Sequence, residues 1–267
     1  LTDPAHAVAA VRAARPDRIY HLAAQSSIRA AWRDPRATIE HNVATTTNLL
    51  DAVVAEAPGA RVLVAGSAEQ YGPSARLPIG EDEPFRPQNP YAVSKCASEL
   101  VAGFYADARG LDVVRARAFN HVGPGAEGRS VMSHFARQIA AAEVEGRGSV
   151  VVHHADVRST RDFTDVRDVA RAYRLLLEHA RPGAYNVCSG SAVSVDEILT
   201  ELTRRAHIPV ERFRDPELLR DNEVLEIRGS HDRLTEATGW QPAVPLARSL
   251  DDTLAYWRQS LGSAVTP

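Results

Sequence analysis

Asn89-Pro90-Tyr91-Ala92-Val93-Ser94-Lys95 is the stretch from which the rest of the chain is read. Pro90 suits the first position of a helix, where its missing N–H costs nothing. On that helix Tyr91 and Lys95 lie four apart and share a face. An ammonium beside a phenol favours the phenolate and is expected to lower its pKa. The pair would then give and take a proton near neutral pH. Tyrosine and lysine are common on helices, so the pair alone also fits a chance surface contact. The composition weighs against chance. Of the 31 Lys and Arg residues, Lys95 is the only lysine. A planar guanidinium does not replace a compact ammonium, so the one lysine marks a place where an ammonium is needed.

Working outward, Arg61-Val62-Leu63-Val64-Ala65 is a short continuous apolar run, as expected of a strand covered on both faces. It ends in Gly66-Ser67-Ala68-Glu69-Gln70-Tyr71-Gly72, and a proline-rich acidic loop leads to Pro87. After the Tyr91 helix, residues 111–117 read as the next strand. It runs into Phe119-Asn120-His121-Val122-Gly123-Pro124-Gly125, which reads as a polar, glycine-rich turn. Upstream, residues 5–15 read as a helix and 17–22 as a buried strand. The small residues Ala23 and Ala24 follow, at the strand end where ligands approach open α/β sheets. A plain strand-to-helix turn explains them equally well. Residues 35–57 carry a long helical pattern through Ile39, Val43, Leu49, Leu50 and Val53.

Downstream, residues 131–145 read as a helix and 150–153 as a strand. Arg161 to Asp168 lead into a helix reaching about His179, and 184–187 read as a strand. Ser194 and Glu197 form a capping box that opens a helix to 206. A last helix runs through Leu250 and Trp257. Strands alternating with helices predict an α/β fold, a Rossmann-like doubly wound parallel sheet, with a smaller C-terminal lobe. Ser67, Tyr91 with Lys95, and the Asn120-His121 turn follow successive elements. In such a sheet they converge, and a hydroxyl, a phenol and an ammonium suit chemistry at a carbonyl or carbinol.

Bulk properties exclude other classes. The 267 residues allow one large or two modest domains, and 44% hydrophobic with 24% charged residues is ordinary globular composition. A net charge of -3 and the lack of a basic stripe argue against nucleic acid. No apolar run approaches the ~20 residues of a membrane helix, and no secretory leader opens the chain. Cys96 and Cys188 have no metal spacing and fit a reducing cytoplasm. His153 and His154 are neighbours on a strand, point to opposite faces, and do not share a metal. No metal is expected. Ser26-Ser27 lacks a nucleophile elbow. Trp32, Trp240 and Trp257 are expected to pack in cores.

Taken together, His21-Leu22-Ala23-Ala24, residues 66–72, Pro90 to Lys95, Asn120 to Pro124, Arg161 to Asp168 and Tyr185 to Gly190 resemble the extended short-chain dehydrogenase/reductase family. The likeness spans nearly the whole chain and falls in the nucleotide-sugar branch. It is greatest to GDP-4-dehydro-6-deoxy-mannose reductases, with GDP-mannose 4,6-dehydratases as near kin. The resemblance implies a nicotinamide cofactor, NADP or NAD, and hydride transfer to the C4 ketone of a GDP-hexose. Tyr91 would protonate the new alkoxide, Ser67 would bind the same oxygen, and Lys95 would tune Tyr91 and hold the nicotinamide ribose. Leu22, Ala23, Ala24, Asn42, Phe119, Asn120, His121 and Val122 would contact the cofactor. Asn120, Arg161, Arg220 and Glu223 would contact the nucleotide sugar. An ion pair with Asp165 is an equal account of Arg161 from the residues alone. The implied dinucleotide domain comprises residues 1–123 and 153–190, and the sugar-binding lobe 124–152 and 191–267. A homodimer through the 36–57 and 90–109 helices is implied by analogy.

The sequence departs from the family in two places. No G-x-G-x-x-G turn occurs before residue 60, and the chain opens at Leu1 with Met132 its one methionine. The expectation is a segment preceding Leu1 that carries that turn. Were the chain whole, a non-catalytic nucleotide-sugar-binding relative would be expected instead. Glu69 occupies the position from which dehydratases remove the C5 proton, so a 4,6-dehydratase stands as the alternative. Ala68 cannot serve as the acid of dTDP-glucose dehydratases. A 4-epimerase fits Glu69 less well.

Overall fold

The computed structural model describes residues 1–126, 130–155, 157–218 and 226–265. In chain order the elements are α1 (Pro4–Ala14), β1 (Arg18–His21), α2 (Ile28–Arg33), α3 (Pro35–Glu56), β2 (Arg61–Ala65), α4 (Pro90–Arg109), β3 (Val113–Ala118) and β4 (Asn120–Val122). There follow α5 (Val131–Val144), β5 (Val150–His154), β6 (Thr160–Asp165), α6 (Val166–His179), β7 (Gly183–Val187), β8 (Ala192–Ser194) and α7 (Val195–Arg205). The chain closes with β9 (Val210–Arg214), β10 (Glu226–Ile227), α8 (Asp232–Thr238) and α9 (Leu246–Val265).

Three helices start in the same way. Pro4, Pro35 and Pro90 open α1, α3 and α4, and the side chains of Asp3, Asp34 and Asn89 accept from the first-turn N–H groups. These caps satisfy donors that a helix leaves orphaned. The Ser194–Glu197 capping box forms at α7 as expected.

Two compact units result. The first comprises residues 1–119, 170–187 and 229–241. Its sheet is parallel throughout, in the order β1-β2-β3-β7. One face packs Val62 and Val64 against Ala7 and Val11 of α1, Leu50 and Val53 of α3, and Ala102 and Tyr105 of α4. Leu63 alternates to the opposite face and is fully buried there. Both faces are therefore covered, as a parallel sheet requires. The strand expected over 17–22 forms as β1 and pairs with β2; His21 is buried, whereas Arg18 and Tyr20, expected to be buried, are exposed.

The second unit comprises residues 120–169, 188–228 and 242–267. Its core joins Met132, Phe135 and Ile139 of α5, Val152 of β5, Ile198 and Leu202 of α7, and Leu254 and Trp257 of α9. The Trp257 indole N–H donates to Ser133 Oγ at 2.9 Å. β6 pairs in parallel with β4 and β10 and antiparallel with β8, and β5 pairs with β9. Because β6 belongs to this sheet, residues 120–123, 153–169 and 188–190 pack here, outside the first unit, whereas 229–241 pack in the first. The cut thus differs from the expected lobes. The expected turn after β3 also begins as a strand, β4, in register with Phe163 to Asp165.

Trp240 is fully buried in the first unit, but Trp32 is 62% exposed, against expectation. α2 is only six residues long, and Ala31 is its one buried side chain. His153 is exposed and His154 buried, on opposite faces of β5. Among the described residues no cluster of His, Cys, Asp and Glu could hold a metal, and no helix is long and apolar enough to cross a membrane.

Candidate active site

The site is built on the end of β2 and the first turns of α4. Ser67 leaves β2 in an extended conformation and caps the short turn Ala68–Gln70. Its N–H donates to Gln70 Oε1 at 2.6 Å, and its Oγ accepts from the Glu69 N–H at 3.2 Å. The Ser67 side chain lies close enough to the phenol of Tyr91 to act to lower the phenol's pKa.

Asn89 fixes Tyr91 and Glu69 together. Its Oδ1 accepts from Ala92 N–H at 2.8 Å, which starts α4, and its Nδ2 donates to Glu69 Oε2 at 2.9 Å. Lys95, one turn on, is 8% exposed and donates to the Ala65 carbonyl at 2.8 Å. Its Nζ lies 6.0 Å from the centre of the Tyr91 ring.

The expected lowering of the Tyr91 pKa is not found. Burial dominates and pushes the phenol up to about 12; Ser67 pulls it down and Glu69 pushes it up. Lys95 itself is pushed down to about 8 by burial. His21, at the end of β1, is pushed down to about 4 by burial and by the nearby Lys95. It is therefore neutral at neutral pH. Its Nε2 meets Thr46 Oγ1 at 3.0 Å, and its Nδ1 has no partner among the described residues.

The residues expected at the cofactor are placed as follows. Asn42 is buried with three of its amide hydrogen bonds made inside the protein. Oδ1 accepts from Gln25 N–H at 2.8 Å, and Nδ2 donates to the Gln25 carbonyl at 3.0 Å and to Ser94 Oγ at 2.8 Å. Ser94 in turn donates to the Tyr91 carbonyl at 2.7 Å. Asn42 thus ties the loop after β1 to the Tyr91 helix, with both amide hydrogens in use. Phe119 is 4% exposed, with its ring near Tyr71 and its N–H on the Val187 carbonyl. Leu22 and Ala23 are exposed at the end of β1, and Ala24 is half-buried.

In the second unit, Asn120 and His121 are exposed on β4, and Val122 is buried in its core. Arg161 lies on β6, where its Nη1 donates to the Thr160 carbonyl at 2.9 Å. The ion pair with Asp165 does not form. Four residues along a strand span about 13 Å, and Asp165 is taken by Arg167 at 2.7 Å and Ser249 at 2.6 Å. Arg220 and Glu223 lie outside the described residues.

The sequence reading missed the supports of the site: His21, Gln70, Asn89, Ser94 and Glu99. A signal existed for Glu99, since Tyr91, Lys95 and Glu99 repeat every four residues on one helix face. Another lay in Arg117, a charge inside a buried strand.

A parallel sheet with Ser67 just past β2, and Tyr91 and Lys95 on the helix that follows, places the protein among the extended short-chain dehydrogenase/reductases that act on nucleotide sugars. The chain matches the family model described as GDP-mannose 4,6 dehydratase over residues 1–253, and it belongs to that family. It is 40% identical over 245 residues to the GDP-6-deoxy-D-mannose reductase of Pseudomonas aeruginosa, covering 91% of this chain and 80% of that one. It is 28% identical over 240 residues to GDP-mannose 4,6 dehydratase 1 of Arabidopsis thaliana, covering 86% and 64%. The solved structure of RMD from Pseudomonas aeruginosa complexed with NADPH superposes with a TM-score of 0.90 at 37% identity, covering 97% of this chain and 86% of that one.

Proposed function

We propose that this protein reduces the C4 ketone of a GDP-linked 4-dehydro-6-deoxyhexose, with NADP(H) or NAD(H) as the nicotinamide cofactor. The observation that carries the reading is the Ser67 hydroxyl set against the Tyr91 phenol, with Lys95 one turn behind. The likeness to a GDP-6-deoxy-D-mannose reductase supplies the substrate class.

The residues fit a nicotinamide riboside. The Lys95 ammonium has three donors, one of them on Ala65 O, which suits the hydroxyls of a ribose. The exposed Leu22 and Ala23 at the end of β1 leave its backbone approachable. When bound, the nicotinamide supplies the hydride. Tyr91 supplies the proton: its O–H bond breaks as an O–H bond forms at the sugar's C4 oxygen. The raised phenol pKa keeps Tyr91 protonated at neutral pH, the state a donor needs. Ser67 donates to the same oxygen as negative charge builds on it. Lys95 opposes the charge of the phenolate that remains. Asn120, Arg161, Arg220 and Glu223 are assigned to the nucleotide sugar by family resemblance, with arginine gripping the diphosphate.

A second reading has an observation of its own. Asn89 holds the Glu69 carboxylate next to Tyr91, where it would serve as the C5 base of a GDP-mannose 4,6-dehydratase. The family model's description agrees with it.

A cytoplasmic homodimer is part of this proposal, by family resemblance. Val93, Leu100 and Phe104 form an exposed apolar stripe on α4, 40%, 66% and 58% exposed, which a second copy would cover.

The test is to mix the protein with NADPH and GDP-4-dehydro-6-deoxy-D-mannose and follow absorbance of the reduced nicotinamide. Substrate-dependent oxidation supports the reductase. Conversion of GDP-mannose to a keto-sugar without net cofactor consumption would move the assignment to the dehydratase. Nucleotide-sugar binding without dinucleotide binding would defeat both.

A further inference from the structure

Behind Ser67 runs a buried polar chain that the reaction does not call for. The Ser67 N–H donates to Gln70 Oε1 at 2.6 Å, and Gln70 Nε2 donates to Glu99 Oε2 at 2.8 Å. Glu99 is clamped by Arg117, with Nη2 to Oε1 at 2.6 Å and Nε to the two carboxylate oxygens at 3.0 and 3.1 Å. Arg117 Nη1 also donates to the Tyr71 hydroxyl at 2.8 Å and to the Glu81 carbonyl at 2.7 Å. Tyr71 donates on to Asn186 Oδ1 at 2.6 Å. Gln70, Glu99, Arg117, Tyr71 and Asn186 are all buried.

The chain has a direction. Glu99, held by a buried guanidinium, offers only acceptors. The Gln70 amide must therefore present its N–H₂ to Glu99 and its oxygen to Ser67. The reverse orientation would set two oxygens together at one end and two donors at the other. Space is reserved for this amide as well. A Cβ on Gly66 would stand 2.6 Å from Gln70 Oε1 and 3.4 Å from Glu99 Oε2. An apolar side chain of the same length would fill the volume, so packing alone does not explain an amide here.

We propose that Gln70 is a positioning residue for Ser67: the Arg117–Glu99 pair fixes the Gln70 amide, and the amide fixes the backbone that aims the Ser67 hydroxyl at Tyr91. This rests on the reading of Ser67 as the partner of Tyr91 in proton donation. Gln70 touches no reacting atom. It acts by keeping the turn at Ser67 from relaxing, and a displacement of about 1 Å at such a group is enough to slow a reaction ~100-fold.

The experiment is a double-mutant cycle in the full protein, with NADPH and GDP-4-dehydro-6-deoxy-D-mannose as substrates. Ser67→Ala, Gln70→Met and the double variant are compared in kcat and KM. Gln70→Met is expected to lower kcat by roughly tenfold or more with KM within about threefold, and to add less than about twofold once Ser67 is alanine. Losses that multiply in the double variant, or a Gln70→Met enzyme within about twofold of wild type in kcat, would overturn the assignment. A Ser67→Ala enzyme with wild-type kcat would instead strike the underlying reading of the site, and this inference with it.

Gln70→Glu covers the case in which Gln70→Met fails to fold. A protonated glutamate here restores both bonds, its carbonyl accepting from the Ser67 N–H and its O–H donating to Glu99, and an ionised one does not. Its kcat relative to wild type is expected to rise as pH falls. A ratio independent of pH would contradict the assignment.

Discussion

Lys95 is a charge held where burial disfavours charge. Its pKa is pushed down to about 8 from 10.5. The folded protein therefore gives up this proton before the unfolded chain does as pH rises. The resulting destabilisation is present in full below about 8 and is relieved between about 8 and 10.5. Lys95→Met should accordingly melt no lower than wild type at pH 7 while losing more than about 100-fold in kcat. A clear fall in Tm would show that the ammonium stabilises the fold. The wild-type pH–rate profile should carry an alkaline limb near 8, while stability rises from that pH upward. Tyr91→Phe removes the proton donor and leaves its ring in place. It should lose about 100- to 10,000-fold in kcat with cofactor affinity little changed, as titration of bound NADPH would show. Tyr91, Lys95 and Ser67 were legible because their chemistry is local: two share a helix face, and one ends an apolar strand. The direction of the Tyr91 pKa was not legible. It is set by how deeply the phenol is buried, which spacing along a helix does not encode.

The elements around these residues are joined by buried charge. Arg117 on β3 and Glu99 on α4 pair at 2.6 Å with almost no exposure to water. Burial acts to lower the pKa of Arg117, but the hydrogen bonds and charge of Glu99, with Tyr71, outweigh it and raise the pKa, so the guanidinium stays charged. Removing one partner strands the other. Glu99→Ala should cost about 3–5 kcal/mol in a denaturant titration. A loss under about 1 kcal/mol would mean that the pair is not held as described. Elements with a strong local signal were readable: β2 from its apolar run, α3 from its apolar pattern, α4 from Pro90 at its start. β4 was not, because Asn120-His121-Val122 has one apolar residue and pairs with a strand forty residues on. The exposure of β1 was hidden for a similar reason. Which strand positions are covered depends on packing partners, and Ile19 alternating with Arg18 and Tyr20 does not announce them.

At the scale of the molecule, alternating strands and helices disclosed the sheet, whereas the division into units followed pairings the sequence does not announce. β6 joins β4, β8 and β10, and takes residues 153–169 into the second unit. The α4 stripe bears on assembly. Leu100→Glu with Phe104→Glu should convert a dimer to a monomer in sedimentation equilibrium, with the helix content unchanged. A wild-type monomer would remove the assembly proposal. The central claim, that hydride reaches the sugar at C4 while Tyr91 delivers the proton, is tested most directly by isotope transfer. The protein would be given NADPH deuterated at the reactive nicotinamide carbon together with GDP-4-dehydro-6-deoxy-D-mannose, and the product examined by mass spectrometry and NMR. One deuterium at C4 of the sugar is the predicted result. A product without deuterium, or with solvent hydrogen newly placed at C5 and the ketone intact, would contradict it.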